Sequence, residues 1–421
     1  MNINNFKYIV ATGCSYGNIL RSILIDDESY INEYHLKIIE ELNTKNIKKY
    51  SLYSDDIIFI DVPMRSQGTT WQSDSMIYVV NNLLKMGVLP ENIYSIVEWS
   101  QWSRTSETVP QTFYNILDVK NLNKKSYNIG HLLCEEFYIQ SKSKNTDFNI
   151  IKDKLSSILD IRSFREVGMN FSCIEGEYYI TPNHLDSKSI GNILGSEWEY
   201  FINHLQELDS KKSIDSKVKE YLNNILKTQT FLKQNNINYN FFHMQSCMSG
   251  WYYDNEVLKH NLTHHADYGT SHLKPQTIGN ESDIEVVWSK YNYIFNQIDF
   301  KNIWQYNENG YRRGGIDEYS FSKYGETSYT SLYDRTFNAM IGKETPRLIQ
   351  IPKYGSHPAM LVYKTMWNQV ARNCNFFRYT DEYLNFIDSK IFEDIKSDTI
   401  TKNGLFISKK KYFEFISTWN S

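Results

Sequence analysis

Three short apolar runs, each closed by small, polar or turn-forming residues, limit what this chain can fold into more than any other feature. They are Phe6 to Thr12 (FKYIVAT), Ile57 to Val62 (IIFIDV) and Ile93 to Trp99 (IYSIVEW). Near-continuous apolar runs of this length suit strands buried on both faces. Between the second and the third, Met76, Val80, Leu83 and Leu84 recur at helical spacing until Gly87 and Pro90 stop the helix. Strands alternating with helices in this way predict a parallel sheet covered by helices, an α/β fold.

Further along, a helix ending near Asn235 leads into a strand at Asn240 to Gln245 (NFFHMQ). Asp283 to Ile298 reads as helix, while Asn302 to Tyr306 and Arg347 to Ile351 read as strands. Met360, Tyr363, Trp367 and Val370 place one apolar stripe on a last helix. The segment from Thr105 to Asn235 interrupts the pattern. Helical spacing in HLLCEEFYI and VKEYLNNILKTQTFLK predicts a mostly helical insertion there. The expected division is residues 1–104 with 236–375 as a discontinuous core, 105–235 as the insertion, and 376–421 as a helical or irregular extension. Residues 248 to 283, rich in His, Gly, Asn and Ser, read as a long loop of the kind that often carries function.

Composition removes several classes. With 421 residues, 41% hydrophobic and 22% charged, the chain is of ordinary globular make-up. Forty-five basic against 49 acidic side chains leave a net charge of −4, so no global field would gather nucleic acid or anionic lipid. Neither partner is expected. Cys14, Cys134, Cys173, Cys247 and Cys374 are too few and too scattered for a disulfide framework or a CxxC metal site. The start, MNINNFKYIV, lacks the apolar core of a secretion signal, and no apolar run reaches the ~20 residues that span a bilayer.

Chemistry is expected at the strand ends. Ser15, in TGCSYG, follows the first strand, where a turn would lift its hydroxyl to the carboxyl edge of the sheet. Such a hydroxyl attacks a carbonyl only when a base takes its proton. His357 is the candidate base, since it follows the last expected strand and precedes Pro358, which suits a helix start. Gly68, in SQGTT after the second strand, could bring a backbone N–H to a developing oxyanion. After the third strand, Ser100 and Gln101 are candidate donors to the same charge. Arg104 is the candidate contact for an anionic or hydroxyl-rich substrate.

Each residue has a plainer reading: Ser15 as a turn serine, His357 as a helix cap, Gly68 as a turn glycine, and Ser100, Gln101 and Arg104 as solvated surface. The chief rival is the cluster His260, His264, His265 and His272, in which His260 and His264 are four residues apart as metal ligands can be. No glutamate follows His260, so a polar loop is favoured and no metal is expected. Cys14 has no basic neighbour to stabilise a thiolate and reads as small-residue packing. Lys409 to Lys411 read as a solvated face, and Trp99, Trp102, Trp304 and Trp367 as core.

Taken together, GCSYG, QGTT and YGSHP resemble successive blocks of the SGNH/GDSL hydrolases. The likeness is nearest to divergent members encoded by tailed bacteriophages, where GCS, a Gly-containing turn, and a strand ending WS with an arginine close behind follow in order. GGIDEY (Gly314 to Tyr319) adds to it. The resemblance covers residues 6 to 104 and 236 to 373. It implies a three-layer α/β/α flavodoxin-like sheet of the SGNH type, with the large helical insertion added to it. It further implies a serine esterase in which Ser15 attacks, His357 shuttles the proton, and Gly68 with Ser100 or Gln101 holds the oxyanion. An acyl ester, with an O-acetyl group on a carbohydrate as the candidate, would be the substrate, and no cofactor is called for. Two departures stand out. Tyr354 and Gly355 occupy the place of the aspartate that orients the histidine, leaving Asp317 and Glu318 as candidate substitutes, and the asparagine of the third block is replaced by Trp99, Ser100 and Gln101. Those departures favour an alternative, a phage structural or accessory protein that keeps the fold without turnover and contacts other virion proteins. The expected location is the host-cell cytoplasm or the virion.

Overall fold

The computed structural model of the chain describes residues 2–13, 20, 23, 33–63, 68–100, 104, 106–108, 133–136, 138–166, 169–182, 187–194, 196–244, 290–308, 314–316, 319, 323 and 360–397. In chain order its elements are β1 (Lys7–Gly13), α1 (Glu33–Thr44), β2 (Tyr50–Tyr53), β3 (Ile57–Pro63), α2 (Thr69–Lys85), β4 (Ile93–Trp99), β5 (Glu107–Thr108), β6 (Leu133–Glu136) and β7 (Tyr138–Ser141). There follow α3 (Asp147–Ile158), β8 (Ile161–Glu166), β9 (Met169–Ile174), β10 (Glu177–Ile180), α4 (Ser187–Leu194), α5 (Ser196–Lys211) and α6 (Ile214–Gln234). Last come β11 (Asn238–His243), the single turn α7 (Asn292–Phe295), β12 (Ile303–Trp304), α8 (Met360–Val370), β13 (Phe377–Tyr379) and α9 (Asp381–Ser397). The protein is an α/β protein with a mostly parallel central sheet.

The chain divides into two compact units. The first comprises Met1–Cys14, Asp55–Tyr239 and Val287–Asp299, and the second Ser15–Ser54, Asn240–Val286 and Phe300–Ser421.

In the first unit the strands follow in the order β4-β1-β3-β7. β1 runs parallel to β3, with Ile9 opposite Phe59 and Gly13 opposite Pro63, and parallel to β4, with Thr12 opposite Val97. β7 closes this edge antiparallel to β3. Ile9, Val10, Ile58, Ile60, Ile96 and Val97 are fully buried, as expected of strands covered on both faces. Each such side chain contributes about 1.5–3 kcal/mol relative to exposure. α2 packs on β1 and β4, and α6 packs on α2. α2 ends where Gly87 adopts φ +89 and donates its N–H to the Leu84 carbonyl, a backbone conformation that glycine takes without penalty.

The segment 105–235 is built differently from the expectation. Helices supply α3 to α6, but strands β5, β10, β9, β8 and β6 form a five-stranded antiparallel sheet in that order, and β7 joins the central sheet. HLLCEEFYI, expected to be helical, holds β6 and the first two residues of β7 instead. In so short a run the helical and extended periods are hard to separate, and strand pairing with β8 and β3 decides. The segment also shares a unit with β1, β3 and β4 rather than standing apart.

In the second unit β11 and β12 pair in parallel, with Phe241 opposite Ile303. β2 and β13 form an antiparallel pair, with Tyr53 opposite Phe377. Residues 376–397 are therefore not a separate extension: β13 pairs with β2, and α9 packs on α8. Tyr50 stacks on Tyr53 at 4.7 Å and Tyr379 on Tyr383 at 5.0 Å, while Lys390 bridges Glu41 at 2.6 Å to tie α9 to α1. The expected strand Arg347 to Ile351 lies outside the described residues. Asp283 to Ile298, expected as one helix, contributes α7 within its described part.

Candidate functional site

Because β1, β3 and β4 are parallel, their carboxyl ends, Gly13, Pro63 and Trp99, lie along one edge of the sheet. Three of the expected site residues are described, and all belong to the segments that leave this edge. Gly68 is the N-cap of α2, with φ −86 and ψ −176. Ser100 directly follows β4 and is fully buried, and Arg104 is 7% exposed rather than solvated.

The structure brings Gly68 and Arg104 together through the main chain. The Thr69 N–H donates to the Arg104 carbonyl at 3.4 Å, and the Gly68 N–H donates to the Ser106 Oγ at 2.7 Å. A Cβ at residue 68 would lie 2.5 Å from the Arg104 carbonyl oxygen and 2.7 Å from the Ser106 nitrogen. The glycine is thus required by close approach of the Arg104 carbonyl and the Ser106 main-chain nitrogen. Its N–H, expected to face an oxyanion, is engaged by the Ser106 hydroxyl, and service as an oxyanion donor would need that hydroxyl to give way.

Ser100 is held from a different direction. Its N–H donates to the Gln72 Oε1 at 3.0 Å, and the Thr12 hydroxyl donates to the Gln72 carbonyl at 3.1 Å. One residue of α2, in the first turn and a half of the helix, therefore ties together the ends of β1 and β4. Ser15, His357, Gln101, Asp317 and Glu318 lie outside the described residues, as do Cys14, Trp102, Lys409 to Lys411 and the histidines of the long loop.

Several polar residues at this edge were not singled out by sequence reasoning. Asp61 and Glu98, 2% and 0% exposed, are the carboxylates of the otherwise apolar runs IIFIDV and IYSIVEW. Asp61 pairs with Ala11, which pairs with Ile96, so by strand alternation Asp61 and Glu98 share one face of the sheet. Thr12 points to the other face, toward α2. The signal available was a lone acid near the end of a buried strand. Both acids, like Arg104, are engaged in interactions. In the second unit His243 ends β11 with no exposure.

Behind the edge, a polar ladder fixes α2 on α6. The Asn224 Nδ2 donates to the Thr69 and Thr70 hydroxyls, both at 3.1 Å, Thr70 donates to Glu220 at 3.0 Å, and Thr228 donates to Ser73 at 2.8 Å. Burial raises the Glu220 carboxyl above its ordinary range, against the pull of Lys212 and the Thr70 hydroxyl. Burial likewise pulls the Lys212 ammonium down, but the hydrogen bond to Glu107 and the charges of Glu220, Glu107 and Asp209 outweigh it and leave it raised. The start of α2 is therefore locked in place rather than left to fray.

Comparison with protein-family models, curated proteins and solved structures returned no match for this chain. Among the described residues no cluster of three or more His, Cys, Asp or Glu is placed to hold a metal ion, and no helix is long and apolar enough to cross a membrane. What the described edge offers is a set of buried polar groups, with the Gly68 and Ser100 N–H groups and the Thr12 hydroxyl hydrogen-bonded within the edge itself and with Asp61, Glu98 and Arg104 buried beside them.

Proposed function

We propose that the protein is a serine ester hydrolase of the SGNH type, on a three-layer α/β/α sheet, acting on an acyl ester such as an O-acetyl group of a carbohydrate. The observation that carries this reading is the placement of Gly68, Ser100 and Arg104 on segments that leave the carboxyl edge of one parallel sheet. β1 ends at Gly13, and Ser15 follows two residues later, a backbone reach of about 7 Å at most. In this mechanism Ser15 attacks the acyl carbonyl while His357 accepts its proton. The carbonyl oxygen becomes an alkoxide held by N–H donors, and the alkoxide then reforms the carbonyl and expels the alcohol, which takes the proton from His357. Water repeats the sequence on the acyl-enzyme. Asp317 or Glu318 would orient His357.

Hydrolysis of p-nitrophenyl acetate by the wild-type protein, Ser15→Ala and His357→Ala tests the reading. Both variants are expected to lose at least about 10³-fold in kcat/KM. Equal rates for wild type and Ser15→Ala would refute it.

One observation favours a second reading, a phage structural or accessory protein that keeps the fold without turnover. The Gly68 N–H is already satisfied by Ser106, and backbone atoms of Arg104 and Ser106 lie close against the start of α2. Under that reading the wild-type protein shows no Ser15-dependent turnover and instead copurifies with virion proteins.

A further inference from the structure

Lys212 is one cation shared unequally by two carboxylates. Its Nζ donates closely to the Glu107 Oε1 and lies 3.5 Å from the Glu220 Oε2. The second contact is at the limit of a hydrogen bond, so Glu220 is the weakly paired partner. With both carboxylates ionised, the three groups carry one excess negative charge. The adjacent ion pair, Asp209 with Lys217 at 2.9 Å, is already balanced and supplies no spare cation. Glu220, Lys212 and Glu107 are 28%, 29% and 30% exposed, buried enough to feel the imbalance and open enough to exchange a proton with water.

The hydrogen bonds decide where such a proton goes. The Thr70 hydroxyl accepts from the Asn224 Nδ2 at 3.1 Å, so its single proton is donated to the Glu220 Oε1 at 3.0 Å. That oxygen is held as an acceptor. A proton taken up from water therefore lands on Oε2, the oxygen that Lys212 holds only weakly. These side chains also join separate parts of the first unit. Glu107 begins β5, next to Ser106, whose hydroxyl accepts the Gly68 N–H; Lys212 lies between α5 and α6, Glu220 on α6, and Thr70 on α2.

We propose that Glu107, Lys212 and Glu220 form a proton-operated clasp: uptake of one proton on Glu220 fastens the strand end Ser106–Thr108 to the α2–α6 helix pair, and its release lets that strand end open. Burial raises the Glu220 carboxyl above its ordinary 4.5, and the Glu107 charge acts in the same sense, against the pull of Lys212 and the Thr70 hydroxyl. Lys212 remains an ammonium throughout, its own value raised from 10.5. The closed form thus binds the Glu220 proton more tightly than a form that exposes this carboxyl. The contribution of the clasp is fully present below pH 4.5 and is lost as pH rises through the raised value. The device needs neither Ser15 nor His357 and stands whether or not the protein turns over an ester.

Hydrogen exchange of the full chain at pH 5 and pH 8, read on peptides containing 106–108 and corrected for the intrinsic rate, tests it in wild type and Glu220→Gln. Gln keeps an acceptor for Thr70 and stands in for the protonated acid. The corrected exchange of wild type is expected to rise several-fold from pH 5 to pH 8, within the limit of about tenfold per pH unit set by one proton, while Glu220→Gln stays slow at both. Equal protection of wild type at the two pH values, or a Glu220→Gln protein that keeps the wild-type rise, overturns the proposal. Should Glu220→Gln not fold, carbon-detected NMR titration of the wild-type carboxyl decides. Glu220 is expected to titrate above 4.5, with the Ser106 and Glu107 amide signals moving at the same midpoint. A midpoint at or below 4.5, or amide signals that do not follow it, overturns the clasp.

Discussion

The Gly68 main-chain N–H donates to the Ser106 hydroxyl at 2.7 Å, and the same approach leaves no room for a side chain at position 68. The atoms that a Cβ would meet are mostly backbone and cannot swing aside. Gly68→Ala is therefore expected to destabilise the protein by about 1–3 kcal/mol through overpacking. Ser106→Ala, which strands a buried N–H without adding bulk, is expected to cost a similar ~1–3 kcal/mol. Urea unfolding of both variants checks this. A Gly68→Ala protein as stable as wild type would mean that Arg104 and Ser106 do not lie against the start of α2.

Asn224 is the rung that grips the first turn of α2 from α6. Replacement by Leu keeps the branched shape and heavy-atom count but removes donors to the Thr69 and Thr70 hydroxyls, and Thr69 is 1% exposed. A loss of about 1–3 kcal/mol is expected, read as a lower urea midpoint with unchanged slope. No loss would show that water replaces the amide there.

The parts of the fold visible in the sequence are those written in one uninterrupted period. FKYIVAT, IIFIDV and IYSIVEW became β1, β3 and β4 because a run buried on both faces needs no partner-specific pattern to be recognised. The helix stops at Gly87 and Asn235 were legible from turn chemistry. What could not be read was pairing at a distance. β6 and the start of β7 sit in one nine-residue word yet join different sheets, and β2 finds its partner β13 more than three hundred residues away. At the site, Gly68 and Ser100 were legible as strand-end residues. Gln72 and Ser106 were not, because their meaning lies in which main-chain groups they meet, and nothing in TTWQSD or RTSE announces that.

Lys364 offers a pH-dependent check on the second unit. It is fully buried, its Nζ lies 3.3 Å from the Tyr383 hydroxyl, and burial pulls its ammonium from 10.5 down to about 7. Between these two values the unfolded chain holds a proton that the folded one does not, so stability rises with pH across that window. The slope is at most one proton, about 1.4 kcal/mol per pH unit. Below pH 7 both states are charged and the full penalty of the buried ammonium remains. Lys364→Met is expected to raise the melting temperature at pH 6 and to flatten the rise between pH 7 and 10. An unaltered slope would place its cause in another group.

The central proposal is that Ser15, two residues beyond the last residue of β1 in the sequence, is an activated nucleophile. Treatment of the native protein with diethyl p-nitrophenyl phosphate, followed by intact-mass measurement and peptide mapping, tests it most directly. The account predicts a single diethylphosphoryl adduct, on Ser15, absent from Ser15→Ala and from protein denatured before treatment. An unmodified native protein, or an adduct on another residue, would contradict it.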